Sequence, residues 1–329
     1  MLGKKKVVAL FLLAAMVLTL AACGGQGSSG DGSQGGTGSR TQFINIATGG
    51  TSGTYYPLGG AMADIFSRNI EGVNASAQST GASVANVNML RNNEAQVAFV
   101  QNDIAYYAVN GVEMFEGSQY DGLRGLATLY PETVQIITLA DKNINSIADL
   151  KGKRVAVGAP GSGTEANARQ ILGAAGITYD DITVQYLSFG EAASNLKDGN
   201  VDAAFVTAGF PTAAVQDIAA SRNVKLISLT DDIIASLTAG YPFYVETIIP
   251  SGTYPNQGED VKAVSVMAML AVSGDLDEEL VYNMLDVLYS HTDRLAAAHP
   301  VGEQIKKETA TAGMSIELHP GAQKFFAGE

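Results

Sequence analysis

One local order of parts occurs twice in this chain, and it restricts the fold more than any single motif does. Gln42-Phe-Ile-Asn-Ile-Ala-Thr48 alternates apolar and polar residues as a strand does, runs through Gly49-Gly-Thr-Ser-Gly-Thr-Tyr-Tyr-Pro57, and enters an apolar-periodic helix near Leu58. Lys153-Arg-Val-Ala-Val-Gly158 repeats the pattern, followed by Ala159-Pro-Gly-Ser-Gly-Thr-Glu165 and a helix through Ile171 and Leu172. At nearly the same distance in each half comes a second apolar strand, Glu94-Ala-Gln-Val-Ala-Phe-Val100 and Val201-Asp-Ala-Ala-Phe-Val206. Two more loops correspond, Gln78-Ser-Thr-Gly-Ala-Ser83 and Ser188-Phe-Gly-Glu-Ala192, each just before the helix that leads to such a strand. Strands alternating with helices predict parallel sheets, and two copies predict two similar α/β lobes.

The chain after Tyr241 does not begin a third copy. Tyr244-Val-Glu-Thr-Ile-Ile-Pro250 and Val261-Lys-Ala-Val-Ser-Val-Met267 read as strands, and Leu276, Leu280, Met284 and Leu288 form a helical stripe. In the first half, 124–130 and 134–140 read as strands long enough to pass from one lobe to the other, with the return most economical near Tyr244. The expected organisation is a discontinuous first lobe, 43–138 plus 245–329, around an inserted second lobe, 139–244.

Ahead of the lobes stands an address. Lys4, Lys5 and Lys6 precede an apolar run from Val7 to Ala22, which is shorter than the roughly 20 residues a membrane span needs and matches secretory-signal anatomy. Leu20-Ala21-Ala22-Cys23 resembles the bacterial lipobox, which implies cleavage of a signal peptide over 1–22 and lipidation of Cys23. The segment 23–42 is rich in Gly and Ser and has nothing to anchor a core, so it reads as a flexible tether. The expected location is extracytoplasmic, lipid-anchored to the outer face of the cell membrane or periplasmic.

Composition removes several function classes. Of the 329 residues, 46% are hydrophobic and 16% charged, which excludes a disordered chain, and a net charge of −13 disfavours a nucleic-acid surface. Cys23 is the only cysteine, so there is no intramolecular disulfide and no Cys-based metal site. The histidines, His291, His299 and His319, all fall near the C-terminus without metal-ligand spacing. No cofactor, no metal and no catalytic residue are expected.

In open parallel sheets a ligand sits beyond the carboxyl ends of the strands, where loops lead into helix N-termini. The repeated loops occupy that position and offer backbone N–H groups, glycines for close approach and hydroxyls. Helix N-termini carry partial positive charge, so facing loops predict a cleft for a small anionic group. The candidate ligand-binding residues are Ser52, Thr54 and Tyr55; Ser79, Thr80 and Gly81; Gln101 and Asp103; Ser162, Gly163 and Thr164; and Gly209, Phe210 and Pro211. Several have a plainer alternative. Ser162 and Glu165 match a capping box, so Ser162 has a reading as a cap alone. One of Tyr55 and Tyr56 belongs to the lobe core on the plain reading, with Tyr55 favoured for the cleft. The polar run Gln101-Asn-Asp103 either binds a ligand amine or caps the next helix through Asp103. No arginine falls inside a candidate loop, although Arg91 and Arg169 are within swinging range.

Two catalytic frames fail on inspection. Gly158-Ala-Pro-Gly-Ser-Gly163-Thr164 has the glycine spacing of a P-loop but lacks its Lys, and Glu165 would stand beside the phosphates. Neither Ser52 nor Ser162 sits in a Gly-x-Ser-x-Gly elbow.

Four ordered motifs together carry a family resemblance: 48–59, Val100-Gln-Asn-Asp103, 149–164 and Ile249-Pro-Ser-Gly-Thr-Tyr254. They resemble the TAXI family of TRAP-transporter solute-binding proteins across about 43–320. The resemblance implies an α/β, two-lobed type II periplasmic-binding-protein-like fold with a hinge and an interlobe ligand cleft. It also implies delivery of a glutamate-like amino acid or dicarboxylate to the membrane subunits of an ion-coupled TRAP transporter. The DctP-type TRAP receptors hold carboxylates with an arginine, and no matching arginine motif occurs here. Two other functions compete with the receptor reading. One is a sensor-type binding protein that signals to a membrane receptor; the other is an exported enzyme on the same fold, disfavoured by the lack of His or Cys near the loops.

Overall fold

The computed structural model describes residues 41–329. The signal peptide, Cys23 and all but the last two residues of the expected tether lie outside them. Gln42, assigned to the tether, is already the first strand residue, its N–H donating to the Gly72 carbonyl at 2.7 Å.

The first half opens β1 (Gln42–Ala47), α1 (Tyr55–Asn69), β2 (Val73–Gln78), α2 (Ser83–Arg91), β3 (Val97–Gln101) and α3 (Asn102–Asn110). A long strand β4 (Leu123–Leu139) follows, and then the same order returns: β5 (Arg154–Gly158), α4 (Gly163–Ala174), β6 (Thr183–Tyr186), α5 (Phe189–Asp198), β7 (Ala203–Ala208) and α6 (Ala213–Ala219). The chain ends with β8 (Val224–Leu226), α7 (Asp231–Gly240), β9 (Val245–Ile249), β10 (Val261–Ser273), α8 (Glu278–Ser290), α9 (Thr292–Ala298) and α10 (Pro320–Ala327).

Strand order makes the internal symmetry explicit. The path runs β2-β1-β3-β10-β4-β7-β5-β6, so each half places three parallel strands beside a long antiparallel one. The antiparallel partner is β10 for β3 and β4 for β7. Strands β4 and β10 also pair with each other over most of their length, joining the two sets of strands into a two-lobed α/β fold of the type II periplasmic-binding-protein kind.

Two differences from the sequence reading concern these crossing strands. The stretches 124–130 and 134–140 are one strand, because Pro131 is exposed and the register shift between Ala268 and Met269 of β10 accommodates the irregularity without breaking the ladder. The return, expected near Tyr244, comes later. Ile249, Tyr254, Val261 and Ala263 pack with Ala204, Val206 and Val215, and Val264 and Val266 pack with Val155 and Phe205. Only from Ala268 onward do the side chains of β10 join Ile44, Phe99 and Leu126. The stretch 245–266, expected in the first lobe, is therefore held by the second set of strands, since β9 forms a hairpin with the first part of β10.

Local sequence explains the helix starts. Ser162 accepts the Glu165 N–H at 3.2 Å, and Ser188 with Glu191 forms a complete capping box at α5. Asp277 caps α8, whose Leu280, Met284 and Leu288 are buried as the stripe predicts.

Candidate functional site

The N-termini of α1, α2, α4 and α5 converge on one cavity, because each follows a parallel strand and emerges at its carboxyl end. Its non-atom space is about 540 Å³ including solvent at the mouth, of which about 50 Å³ admits the centre of a water molecule. That suits one small polar solute. Of the sequence candidates, Thr54, Tyr55, Thr80, Gly81, Gln101, Ser162, Gly163 and Thr164 line it.

The remaining candidates do not line it, each for a visible reason. Ser52 is engaged between lobes, its carbonyl accepting the Ala214 N–H at 3.2 Å. Ser79 donates its hydroxyl to the Gly49 carbonyl at 3.0 Å. Asp103 is 1% exposed and turned behind the cavity, accepting from the Ile104 N–H at 2.9 Å and from Asn167 Nδ2 at 3.1 Å. Gly209 lies against Tyr130 and Val301, and its carbonyl accepts from the hydroxyls of Thr54 and Thr212. Phe210, joined to Pro211 by a cis peptide bond, packs on the core beneath α5 and α6.

Ser83, Glu132, Ser188, Phe189 and Thr207 also line the cavity. The loops holding Ser83 and Ser188 are legible as the paired loops of the two halves, but Glu132 and Thr207 carry no local signal. Glu132 lies on β4 opposite Val266, where the strand passes between lobes, and only the continuity of that strand brings it to the cavity.

Glu132 is 3% exposed, and its Oε2 accepts the Tyr55 hydroxyl at 2.5 Å. Burial pushes its carboxyl up to about 8, against the lowering effect of the Tyr55 hydrogen bond. Tyr55 in turn packs against Phe99 at 4.8 Å between ring centres with the rings tilted by 33°, and burial raises its phenol well above the ordinary value. Among the described residues, no Lys, Arg or His lines the cavity. Arg169, within reach on sequence, instead pairs with Glu165 at 2.9 Å, and Arg91 donates to the Ser118 carbonyl.

A second polar cluster stitches the lobes together at the cavity floor. Asn167 on α4 accepts from Gln101 Nε2 at 3.0 Å and from the Thr207 hydroxyl at 3.1 Å, and donates to Asp103 and to the Tyr244 hydroxyl. Desolvation pushes Asp103 up to about 7. Across the mouth, the Gly161 carbonyl accepts the N–H groups of Val84 and Ala85, both at 3.1 Å, so one lobe caps the helix of the other. Ala82, the residue before α2, is held at φ 74° to make that approach. The N–H groups of Gly163 and Thr164 have no hydrogen-bond partner among the described residues, which leaves the start of α4 open to an anionic group.

Known structures share this architecture. The Prochlorococcus marinus protein PhnD1, solved with methylphosphonate, superposes with a TM-score of 0.56 at 10% identity, covering 81% of this chain and 92% of that one. A Listeria monocytogenes protein assigned to L-cystine ABC transport gives 0.50 at 16% identity, covering 81% and 99%. A Bordetella bronchiseptica protein gives 0.51 at 17% identity, covering 88% and 89%. At these identities the likeness is one of fold. Sequence similarity reaches further, since residues 46–328 match the NMT1-like family model, and the chain belongs to the NMT1-like family.

Proposed function

We propose that this protein is an extracytoplasmic solute receptor, which captures one small polar solute between its lobes and delivers it to a membrane transporter. The observation that carries the reading is the cavity where helix N-termini of both halves meet, lined by hydroxyls and by N–H groups that have no hydrogen-bond partner among the described residues. Such a site needs no catalytic base. Closure excludes water, so that a few hydrogen bonds select the solute. The fold neighbours, among them a protein solved with methylphosphonate, support a binding role over an enzymatic one.

The finer reading rests on the sequence motifs. They favour a TAXI-type receptor serving a TRAP transporter, with a glutamate-like amino acid or dicarboxylate as solute, Cys23 as lipid anchor and the signal and tether as delivery elements. The open start of α4 supports an acidic group on that solute.

The test is a thermal-shift screen of the purified protein against acidic and neutral amino acids, dicarboxylates, 2-hydroxy acids, alkylphosphonates and sugars. A ligand that binds only the folded state raises its melting temperature. A shift with a carboxylate-bearing solute supports the reading. Turnover of any probe, or no shift with any of them, refutes it.

A further inference from the structure

We infer that Glu132 is the residue that selects the solute: its carboxylate takes the ammonium group of a zwitterionic α-amino acid whose carboxylate sits at the start of α4. The inference rests on the receptor reading above and narrows its ligand class.

A carboxyl this deeply buried is costly unless something compensates it. Among the described residues, the only hydrogen-bond partner of the Glu132 carboxyl is the Tyr55 hydroxyl, which occupies Oε2. Oε1 has none, and the residue lines the cavity. An apolar side chain would fill the same place on β4 at lower cost, so a purely structural role does not account for it. Gln101, 2% exposed and also on the cavity wall, has an Oε1 without a partner, a second polar group left unsatisfied by the protein.

Charge decides what the solute brings. Among the described residues no cationic side chain lines the cavity, and the buried Asp103 behind the same wall raises Glu132 further and offers it no positive charge. A dicarboxylate would bring two negative charges to a site with only helix ends to offset them, and would leave Glu132 protonated and its burial uncompensated. A zwitterion distributes its charge to match: its carboxylate meets the N–H groups of Gly163 and Thr164, and its ammonium meets Glu132. The groups facing Glu132 are Tyr55 from α1, Tyr130 from β4 and Asp103 from α3. None is basic, so the ligand is the cation.

This assignment fixes a sign. In the empty site burial favours the protonated acid, whose carboxyl is pushed up to about 8. An arriving ammonium favours the carboxylate, so binding releases a proton and affinity rises as pH goes from 6 to 8. A solute that accepts a hydrogen bond from the protonated acid would bind more weakly over the same interval.

The experiment is calorimetric titration of the purified protein with the L-amino acids and with propionate, succinate, glutarate and 2-oxoglutarate, at pH 6, 7 and 8. We expect an amino acid to bind about 100-fold more tightly than its counterpart lacking the amine, the order a buried ion pair supplies. In Glu132→Gln that preference should fall to within a few-fold, and the pH dependence should disappear. A cooperative thermal melt of Glu132→Gln, together with its retained binding of the deaminated counterpart, guards against a folding defect in that variant. Equal or tighter binding of the deaminated counterpart, or affinity falling with pH, overturns the ammonium site while leaving the receptor reading standing. No binding by any probe here or in the broader screen removes both.

Discussion

Gln101 Oε1 presses so closely on the α-carbon of Gly163 that a Cβ added there would lie 1.4 Å away. The two residues belong to different halves of the repeat, Gln101 ending β3 and Gly163 opening α4. A side chain at Gly163 would thus have to displace the buried amide end of Gln101 from the other half, whereas the glycine's own backbone is helical and would accept one.

Gly163→Ala should therefore leave each lobe folded while preventing the closure seen here. Alanine is a better helix former than glycine, so an isolated α4 would gain stability, and any loss must come from the interface. Solute affinity should fall at least about tenfold, the equivalent of ~1.4 kcal/mol. Small-angle scattering in the presence of solute should show the extended form retained. Wild-type affinity and compaction in this variant would mean that the contact is incidental to closure.

The two functional aspects of Tyr55 separate by substitution. Its ring packs against Phe99 within the core of the first lobe, and its hydroxyl reaches Glu132. Tyr55→Ala should cost about 3 kcal/mol or more of stability, in line with removal of a buried aromatic. Tyr55→Phe should cost about 1 kcal/mol, mostly through the unpartnered Glu132 oxygen. Chemical denaturation of both variants checks the ordering, and equal losses would mean that the hydroxyl, not the ring, carries the stability.

The site was partly legible because one half of it is built from local signals. Strand, Ser-Gly-Thr loop and capped helix announce themselves in sequence, so Thr54, Ser162, Gly163 and Thr164 are found by pattern alone. Glu132 was not legible, because Pro131-Glu-Thr133 reads as a break between two strands; only the pairing of β4 with β10 across that point makes it a wall of the cavity. Asp103 was open to two readings, a ligand-facing loop end or a cap of the next helix. One of its oxygens accepts the Ile104 N–H in the first turn of α3, and the other turns toward Asn167 on a helix of the other half. Pairings of that range leave no trace in local periodicity. The late return of the chain has the same origin, since the hairpin of β9 and β10 decides it.

Asn167 is 0% exposed and bonded to Gln101, Asp103, Thr207 and Tyr244. Asn167→Ala should destabilise the fold by about 3 kcal/mol, because it leaves several buried polar groups unpaired at once. It should also weaken solute binding, since two of those partners come from the other half of the repeat. Pairing Asn167→Ala with Gln101→Ala in a double-mutant cycle measures the shared contact, and strictly additive losses would deny the coupling.

The buried carboxyls give the ligand-free protein a pH dependence opposite to that of most proteins. Glu132 stands near 8 against an ordinary 4.5, and Asp103 near 7 against 3.8, each raised first by desolvation. A carboxyl whose value is raised on folding binds its proton more tightly in the native state. Its stabilising contribution is complete below the ordinary value and is lost as pH climbs through the native one. Stability should therefore decline from about pH 5 to pH 8, by on the order of a few kcal/mol for the two groups together. Tyr55 donates to Glu132, Tyr130 stands beside it and Asn167 donates to Asp103, and among the described residues no basic group acts on either carboxyl to reverse the trend. Urea unfolding at pH 5.5 and pH 8.0 measures the difference, and Glu132→Gln should remove the larger share of it, since its value is displaced furthest. Bound amino acid should flatten or invert the same profile, because an ammonium beside Glu132 favours the ionised form. A ligand-free protein more stable at pH 8.0 than at pH 5.5 would show that these carboxyls are solvated or paired with a cation well enough to ionise near their ordinary values.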